Sequence, residues 1–214
     1  KNYGPIARGV GFKGEYCTTM FNKARDIILD FFCVLDNDDY TVIYTKSDTE
    51  GLNALANVLI QDKDDMVLTT RMEHHANDLP FRRVAKMVYV EVDVLGRINI
   101  DDIEEELIKA NGKIKVVTIT GASNVTGYIT PIHDIARLAH KYGAVIIVDG
   151  AQLIAHREVN LAGNSKDEEI DFLTFSAHKA YAPFGSGAIV GKKDYLNEED
   201  PFLSGGGCVA GVFD

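Results

Sequence analysis

Basic residues are in short supply. There are 22 Lys and Arg against 32 Asp and Glu in 214 residues, a formal net charge of −10. A general nucleic-acid binder, or a protein held on an anionic membrane, needs a basic face, so the shortfall argues against both. Cysteine is sparse as well. Cys17, Cys33 and Cys208 are too few and too scattered for a disulfide framework or a zinc knuckle, and this usage points to a reducing, cytoplasmic setting. No apolar run reaches the length that crosses a bilayer. No Pro/Ser linker, low-complexity tract or internal repeat divides the chain. No G-x-G-x-x-G follows a first strand and no G-x-x-x-x-G-K-[ST] occurs, so a nucleotide-binding reading has no loop to rest on. The chain begins Lys1-Asn2-Tyr3 and stops at Asp214 soon after Gly205-Gly206-Gly207, which reads as a piece of something longer.

What the sequence does have is alternation. Phe21, Ala24, Ile28 and Phe31 fall on one helix face. Residues 41–45 read as a strand, and Leu52, Leu55, Ala56 and Leu59 as the next helix face. Residues 66–69 and 87–92 read as strands, followed by an acidic helix over 101–109 with Asp101 and Asp102 suited to its N-terminus. Residues 115–120 form a buried-type strand. Ile132, Ile135, Ala136 and Ala139 make a helix face, with Pro131 suited to its first turn and Gly143 to the position after its end. The nearly all-apolar run 144–148 fits a strand covered on both faces, and 171–175 and 187–190 complete the set. This pattern predicts a three-layer α/β/α fold with a mainly parallel central sheet. In such sheets ligands bind outside the carboxyl ends of the strands, so the residues just after each strand matter most.

After residue 148 comes Asp149-Gly150-Ala151-Gln152. A carboxylate at the tip of an apolar strand is costly unless paired, so Asp149 either holds a cationic group of a ligand or serves as a cap. After residue 175 comes Ser176-Ala177-His178-Lys179. A lone lysine is ordinarily solvated, but the apolar, glycine-bearing stretch 180–187 suggests burial, and a buried lysine is a Schiff-base candidate. After residue 45, Ser47-Asp48-Thr49 could cap a helix or help bind an anion at its N-terminus. The pair His74-His75 tempts a metal reading, but adjacent residues diverge and no other ligand stands at a usual spacing, so no metal site is expected. Stacking of an imidazole on a flat ligand suits the position better. Asn124 follows the strand ending at residue 120, as a turn residue or a polar contact. His133 and His140, on the later helix, read as surface or packing residues.

An acid, a lysine, an imidazole, amides and hydroxyls around one crevice are what pyridoxal phosphate chemistry needs. The sequence resembles the class V aminotransferases of fold type I, the cysteine desulfurase group in particular. The resemblance is carried by Met72-Glu73-His74-His75-Ala76-Asn77, Ser123-Asn124-Val125-Thr126-Gly127, Val148-Asp149-Gly150-Ala151-Gln152 and Ser176-Ala177-His178-Lys179, in matching order and spacing. It implies an enzyme acting on an amino acid, with pyridoxal 5'-phosphate as an aldimine on Lys179, which would then move protons at the substrate carbon. Asp149 would pair with the pyridinium nitrogen, Gln152 and Asn124 would face the phenolic oxygen, and His74 would stack on the ring. Thr49, Ser176 and His178, with the backbone near Asp48, would hold the phosphate. Lys179 and His74 are thus the implied catalytic residues.

The resemblance also implies a homodimer, with Gly205-Gly206-Gly207 near the neighbouring subunit's cofactor, and a sulfur-acceptor protein if the reaction is a desulfuration. The sequence departs from the family pattern in two respects. Ser47-Asp48 stand where relatives carry a glycine and small or hydroxyl residues, and a carboxylate such as Asp48 is unfavourable beside a phosphate unless it points away. Residues 1–214 read as the cofactor-binding large domain, without the N-terminal segment and the C-terminal small domain that supplies a substrate-binding arginine and a desulfurase cysteine. Cys208 does not stand at that cysteine's position and is not assigned a catalytic role. The alternative is a cofactor-binding domain without turnover, serving dimerisation or scaffolding.

Overall fold

The computed structural model describes residues 3–6 and 11–197. Gly205–Gly207 and Cys208 lie outside the described residues. The strands are β1 (Tyr40–Thr45), β2 (Met66–Thr70), β3 (Lys86–Val90), β4 (Ile114–Thr120), β5 (Val145–Asp149), β6 (Phe172–Ser176) and β7 (Gly187–Lys192). They form one sheet in the order β1-β7-β6-β5-β4-β2-β3. All neighbouring pairs from β6 to β3 are parallel, and β7 runs antiparallel to both β6 and β1. The fold is α/β with a mostly parallel sheet, as the alternation predicts.

The helices are α1 (Phe12–Phe31), α2 (Asp48–Leu59), α3 (Leu79–Arg82), α4 (Ile100–Ala110), α5 (Ile132–Lys141) and α6 (Asp194–Asn197). Alternate residues of the central strands supply two separate cores. Val117 and Ile119 of β4, Ile146 and Val148 of β5 and Leu173 of β6 pack with Ile103 and Leu107 of α4 and Ile135 and Ala136 of α5. Val116, Ile147 and Phe172, from the opposite face, pack with Leu52, Leu55 and Ala56 of α2 and Phe81 of α3. The sheet is the middle layer of three, with helices packed on both of its faces.

Several local expectations need adjustment. α1 begins nine residues before Phe21, and Phe31 is 52% exposed while Phe32, at 1%, fills the core position. An i+10 step drifts off the buried stripe, whereas i+11 completes three turns at 3.6 residues each. β3 stops at Val90, and Val92 makes only an isolated bridge to Ile98. Pro131 sits at the N-cap of α5 rather than inside its first turn. Gly143, at φ 75°, follows the helix in the left-handed conformation.

Two glycines position the N-terminus of α2. A Cβ on Gly51 would lie 3.1 Å from Ile189 Cγ1 and 3.2 Å from Thr174 Cγ2, so the bare backbone lets α2 sit down on β6 and β7. A Cβ on Gly187 would lie 2.5 Å from the Phe175 carbonyl oxygen and 3.1 Å from the Ser47 backbone. Both neighbours are backbone and cannot swing aside. Gly187→Ala is therefore expected to destabilise the protein by about 1–3 kcal/mol, as overpacking does. Denaturant titration measures this, and a loss below about 0.5 kcal/mol would show that the strand relaxes freely.

Candidate active site

The carboxyl ends of β1, β2, β4, β5 and β6 open onto one cavity of about 300 Å³. It is lined by Asp48, Thr49, His74, Asn124, Asp149, Gln152, Ser176, His178 and Lys179, together with Ser47, Ala76, Thr120, Ala122 and Ala151. All nine side chains singled out from the sequence meet there.

After β1, Ser47 caps α2, its Oγ accepting from the Glu50 amide at 3.3 Å, and Glu50 Oε2 accepts from the Lys46 amide at 2.5 Å. This reciprocal capping holds the start of the helix, with its positive dipole end, at the cavity. Asp48 is 4% exposed. Its amide donates to Ser176 Oγ at 2.8 Å, and its Oδ1 accepts from Thr174 Oγ1 at 2.5 Å. The carboxylate therefore turns toward β6. Burial and the nearby Asp149 push its pKa up to about 7.

After β2, His74 caps a short 3-10 turn, His75–Asn77, with Nδ1 accepting from the Ala76 amide at 3.1 Å. That bond fixes the ring and leaves Nε2 as the protonated nitrogen of the neutral imidazole. His75 does not line the cavity; it lines an adjoining surface cleft with Leu79, Pro80 and Arg83, and His74, Thr49 and Ala76 border both. Among the described residues no group of His, Cys, Asp and Glu could hold a metal ion. Glu73 supports His74 from behind. It accepts from Thr70 Oγ1 and Asn77 Nδ2, both at 2.7 Å, while Asn77 Oδ1 accepts from Thr118 Oγ1 at 2.5 Å. Burial raises its carboxyl to about 7.

Asp149 ends β5 at 3% exposure. Its Oδ1 accepts from the Ala151 amide at 2.9 Å. Burial raises its pKa, against the pull of that hydrogen bond and of the Lys179 charge. Asn124 is exposed and Gln152 half-buried at the rim. After β6, Ser176 is buried, and His178 stacks on Phe184 with ring centroids 5.0 Å apart.

Lys179 departs from expectation. The apolar stretch after it does not cover it: Tyr181 is 94% and Phe184 88% exposed, and Lys179 itself is exposed at the cavity rim. The two large aromatic residues of that turn face outward while Ala180 packs on the core, and Tyr181 takes the left-handed conformation at φ 65°.

Sequence reasoning offers Ser47 as a helix cap or an anion contact, and passes over Thr174 and Glu73 as supports of the site. Thr174 sits inside a strand whose five residues are all buried, and only the approach of α2 gives it a role.

The sequence profile described as aminotransferase class-V matches residues 1–213. The chain belongs to the class-V aminotransferase family. Among class-V relatives, a probable cysteine desulfurase of Halalkalibacterium halodurans is 33% identical over 98% of this chain and 52% of its own length. A cysteine desulfurase of Haloferax volcanii is 32% identical over 97% of this chain and 49% of its own. The solved apo cysteine desulfurase of Thermococcus onnurineus superposes with a TM-score of 0.87 at 29% identity, covering 100% of this chain and 52% of that one. The chain thus spans about half the length of the class-V relatives it matches.

The donor set suits the family's cofactor. A deeply buried carboxylate, whose burial raises its pKa, lies on the cavity floor and would be relieved by a cationic ring nitrogen. A capped helix N-terminus with hydroxyls stands beside it for a phosphate, and an amine is at the rim.

Proposed function

We propose that residues 1–214 are the pyridoxal-phosphate-binding large domain of an enzyme acting on an amino acid, with Lys179 as the attachment and proton-moving residue. The observation that carries this reading is the buried Asp149 on the floor of a cavity that also gathers Lys179, His74 and the N-terminus of α2.

A bound pyridoxal phosphate supplies an electron sink for negative charge at the substrate α-carbon. The chain's own residues do the rest. Asp149 would accept a hydrogen bond from the ring nitrogen and favour its protonated form. His74, its orientation fixed by the Ala76 amide, would stack on the ring. The N-terminal amides of α2 with Thr49, Ser176 and His178 would hold the phosphate, and Gln152 and Asn124 would face the phenolic oxygen. Lys179, exposed at the rim, would attach the cofactor and move the proton at the α-carbon. The named relatives make L-cysteine the first substrate to test, and the family resemblance implies a homodimer and a sulfur-acceptor protein as partners.

Titration with pyridoxal phosphate is expected to give the visible absorption of a lysine-bound cofactor. Lys179→Ala should abolish that band and lower turnover by roughly 10²–10⁴-fold, the usual contribution of a general acid–base group. A wild-type protein without the band, or a band that survives Lys179→Ala, would overturn the reading.

A further inference from the structure

The turn that carries His74 is tied into a closed circuit of hydrogen bonds. Thr69 Oγ1 donates to the Thr118 carbonyl at 2.8 Å, and Thr118 Oγ1 donates to Asn77 Oδ1 at 2.5 Å. Asn77 Nδ2 donates to Glu73 Oε2, and Thr70 Oγ1 donates to Glu73 Oε1, both at 2.7 Å. Thr69 and Thr70 are neighbours on β2, so the circuit closes on itself. It joins β2, the 3-10 turn and β4. Thr69, Thr70, Asn77 and Thr118 are all at or below 1% exposure. A buried polar network in which every member is satisfied fixes one arrangement of its parts. Asn77 donates to Glu73 and accepts from Thr118 at once, which an amide can do and an ionised carboxylate cannot.

His74 itself is exposed. Among the described residues its ring makes a single hydrogen bond, Nδ1 accepting from the Ala76 amide at 3.1 Å. One bond of that length is a weak hold on an exposed ring. The residues on either side supply the rest. Glu73 precedes His74, Asn77 follows Ala76, and the Asn77 amide donates to the His74 carbonyl at 2.8 Å. The circuit thus fixes both the backbone from which the ring projects and the amide that the ring accepts.

We propose that Glu73 is a positioning residue that acts through His74: it closes the circuit that presets the imidazole in one orientation and one tautomer, ready to stack on a flat cofactor ring. The presetting belongs to the unloaded protein, and its benefit to binding rests on the cofactor reading given above. A side chain fixed beforehand loses little freedom on stacking, so affinity rises without a new contact. Glu73 accepts at both of its circuit contacts, as a carboxylate should. Alanine in its place leaves the fully buried Asn77 side chain short of an acceptor and loosens the turn.

The ring is read directly by long-range proton–nitrogen NMR of the unloaded protein at pH 8, with His74→Gln identifying the His74 signals. Wild type is expected to show one tautomer, with the proton on Nε2, because the nitrogen that accepts from Ala76 cannot also carry a proton. Glu73→Ala should lose that single form and show both tautomers. Glu73→Gln should retain it, since its amide oxygen can accept from Asn77 while its nitrogen donates to Thr70 Oγ1. Thr118→Val removes one donor from the circuit. It too should show both tautomers, and it serves if Glu73→Ala folds poorly.

The second measurement is a double-mutant cycle on the affinity of pyridoxamine phosphate, which has no aldehyde and so binds without engaging Lys179 covalently. Glu73→Ala should weaken binding by roughly tenfold in the wild-type background and by less than about twofold in His74→Ala, the non-additivity of residues that act together. If Glu73 only supports the fold, its loss lowers stability, but His74 keeps one tautomer and the two losses of affinity multiply. That result overturns the proposal, as would two tautomers in the wild type. Failure of the cofactor reading gives a different result: wild type keeps the single tautomer yet binds no pyridoxamine phosphate and shows no Lys179-dependent absorption with pyridoxal phosphate.

Discussion

Replacing Asp171 by alanine is expected to destabilise the protein by about 3–5 kcal/mol, the usual cost of removing one partner from a buried ion pair. Asp171 is fully buried just before β6, at the opposite edge of the sheet from the cavity. Its Oδ2 accepts from His140 Nε2 and from the Ile146 amide, both at 2.9 Å, and its Oδ1 lies 2.9 Å from Lys192 Nζ. Lys192 also pairs with Glu169 at 2.8 Å. Alanine would leave a half-buried lysine short of a partner, the Ile146 amide without its acceptor and His140 with one bond fewer. Asp171→Asn, which retains an oxygen for the Ile146 amide, should cost less. Chemical denaturation reads both variants. A loss under about 1 kcal/mol for alanine would mean that Lys192 and His140 find other acceptors at little cost.

The same cluster sets a pH dependence. His140 Nδ1 lies 2.9 Å from the Asp167 carbonyl while Nε2 meets Asp171, so both ring nitrogens face acceptors and only the imidazolium can donate to both. The Asp171 bond raises the His140 pKa above its ordinary 6.5, and the His140 and Ile146 hydrogen bonds with the Lys192 charge hold Asp171 below its ordinary 3.8. The His140 contribution is complete below pH 6.5 and is lost as pH rises through its folded value. The Asp171 contribution is present above pH 3.8 and is lost as pH falls through its folded value. The cluster therefore stabilises most between about pH 4 and 6.5. His140→Gln should cost more at pH 5.5 than at pH 9, and equal costs at the two pH values would dismiss the imidazolium.

His140 also shows how far the sequence could be read. Its helix face and neighbours looked unremarkable, because its partner lies 31 residues away and is brought to it only when β6 inserts beside β5. The strand-end residues were legible for a physical reason. A parallel sheet places every strand's carboxyl end on one edge, so polar residues after apolar runs converge without any knowledge of strand order. Strand order itself was not legible, and the pairing of Thr174 with both α2 and β5 depends on it. Lys179 exposes a different limit. Apolar composition after a lysine signals burial only if the chain folds back over it, and here Tyr181 and Phe184 stay exposed instead.

Asp149→Asn should move affinity and stability in opposite directions. A carboxylate pairing with a cationic ring nitrogen forms a charge-assisted hydrogen bond worth about 1.5–3 kcal/mol, so its loss should weaken cofactor affinity by roughly 10- to 150-fold. The unloaded protein should meanwhile gain on the order of 1 kcal/mol at pH 8, because a deeply buried charge is replaced by a neutral amide that still accepts from Ala151. Burial raises the folded pKa of Asp149, so the stability of the wild-type group is intact below the ordinary carboxyl range and is lost as pH rises through the folded value. Asp48 and Glu73, each raised to about 7, add losses of their own as pH rises toward 7. The gain from Asp149→Asn should therefore shrink when denaturation is repeated at pH 5, because a raised folded pKa makes the penalty of the wild-type carboxylate smaller as pH falls. An asparagine variant that binds the cofactor normally would mean that Asp149 does not face the ring nitrogen. One that is less stable at pH 8 would mean that the carboxylate is held by contacts stronger than its burial cost. The expected pattern, weaker binding with firmer folding, is the signature of a charge that the fold tolerates for the sake of its ligand.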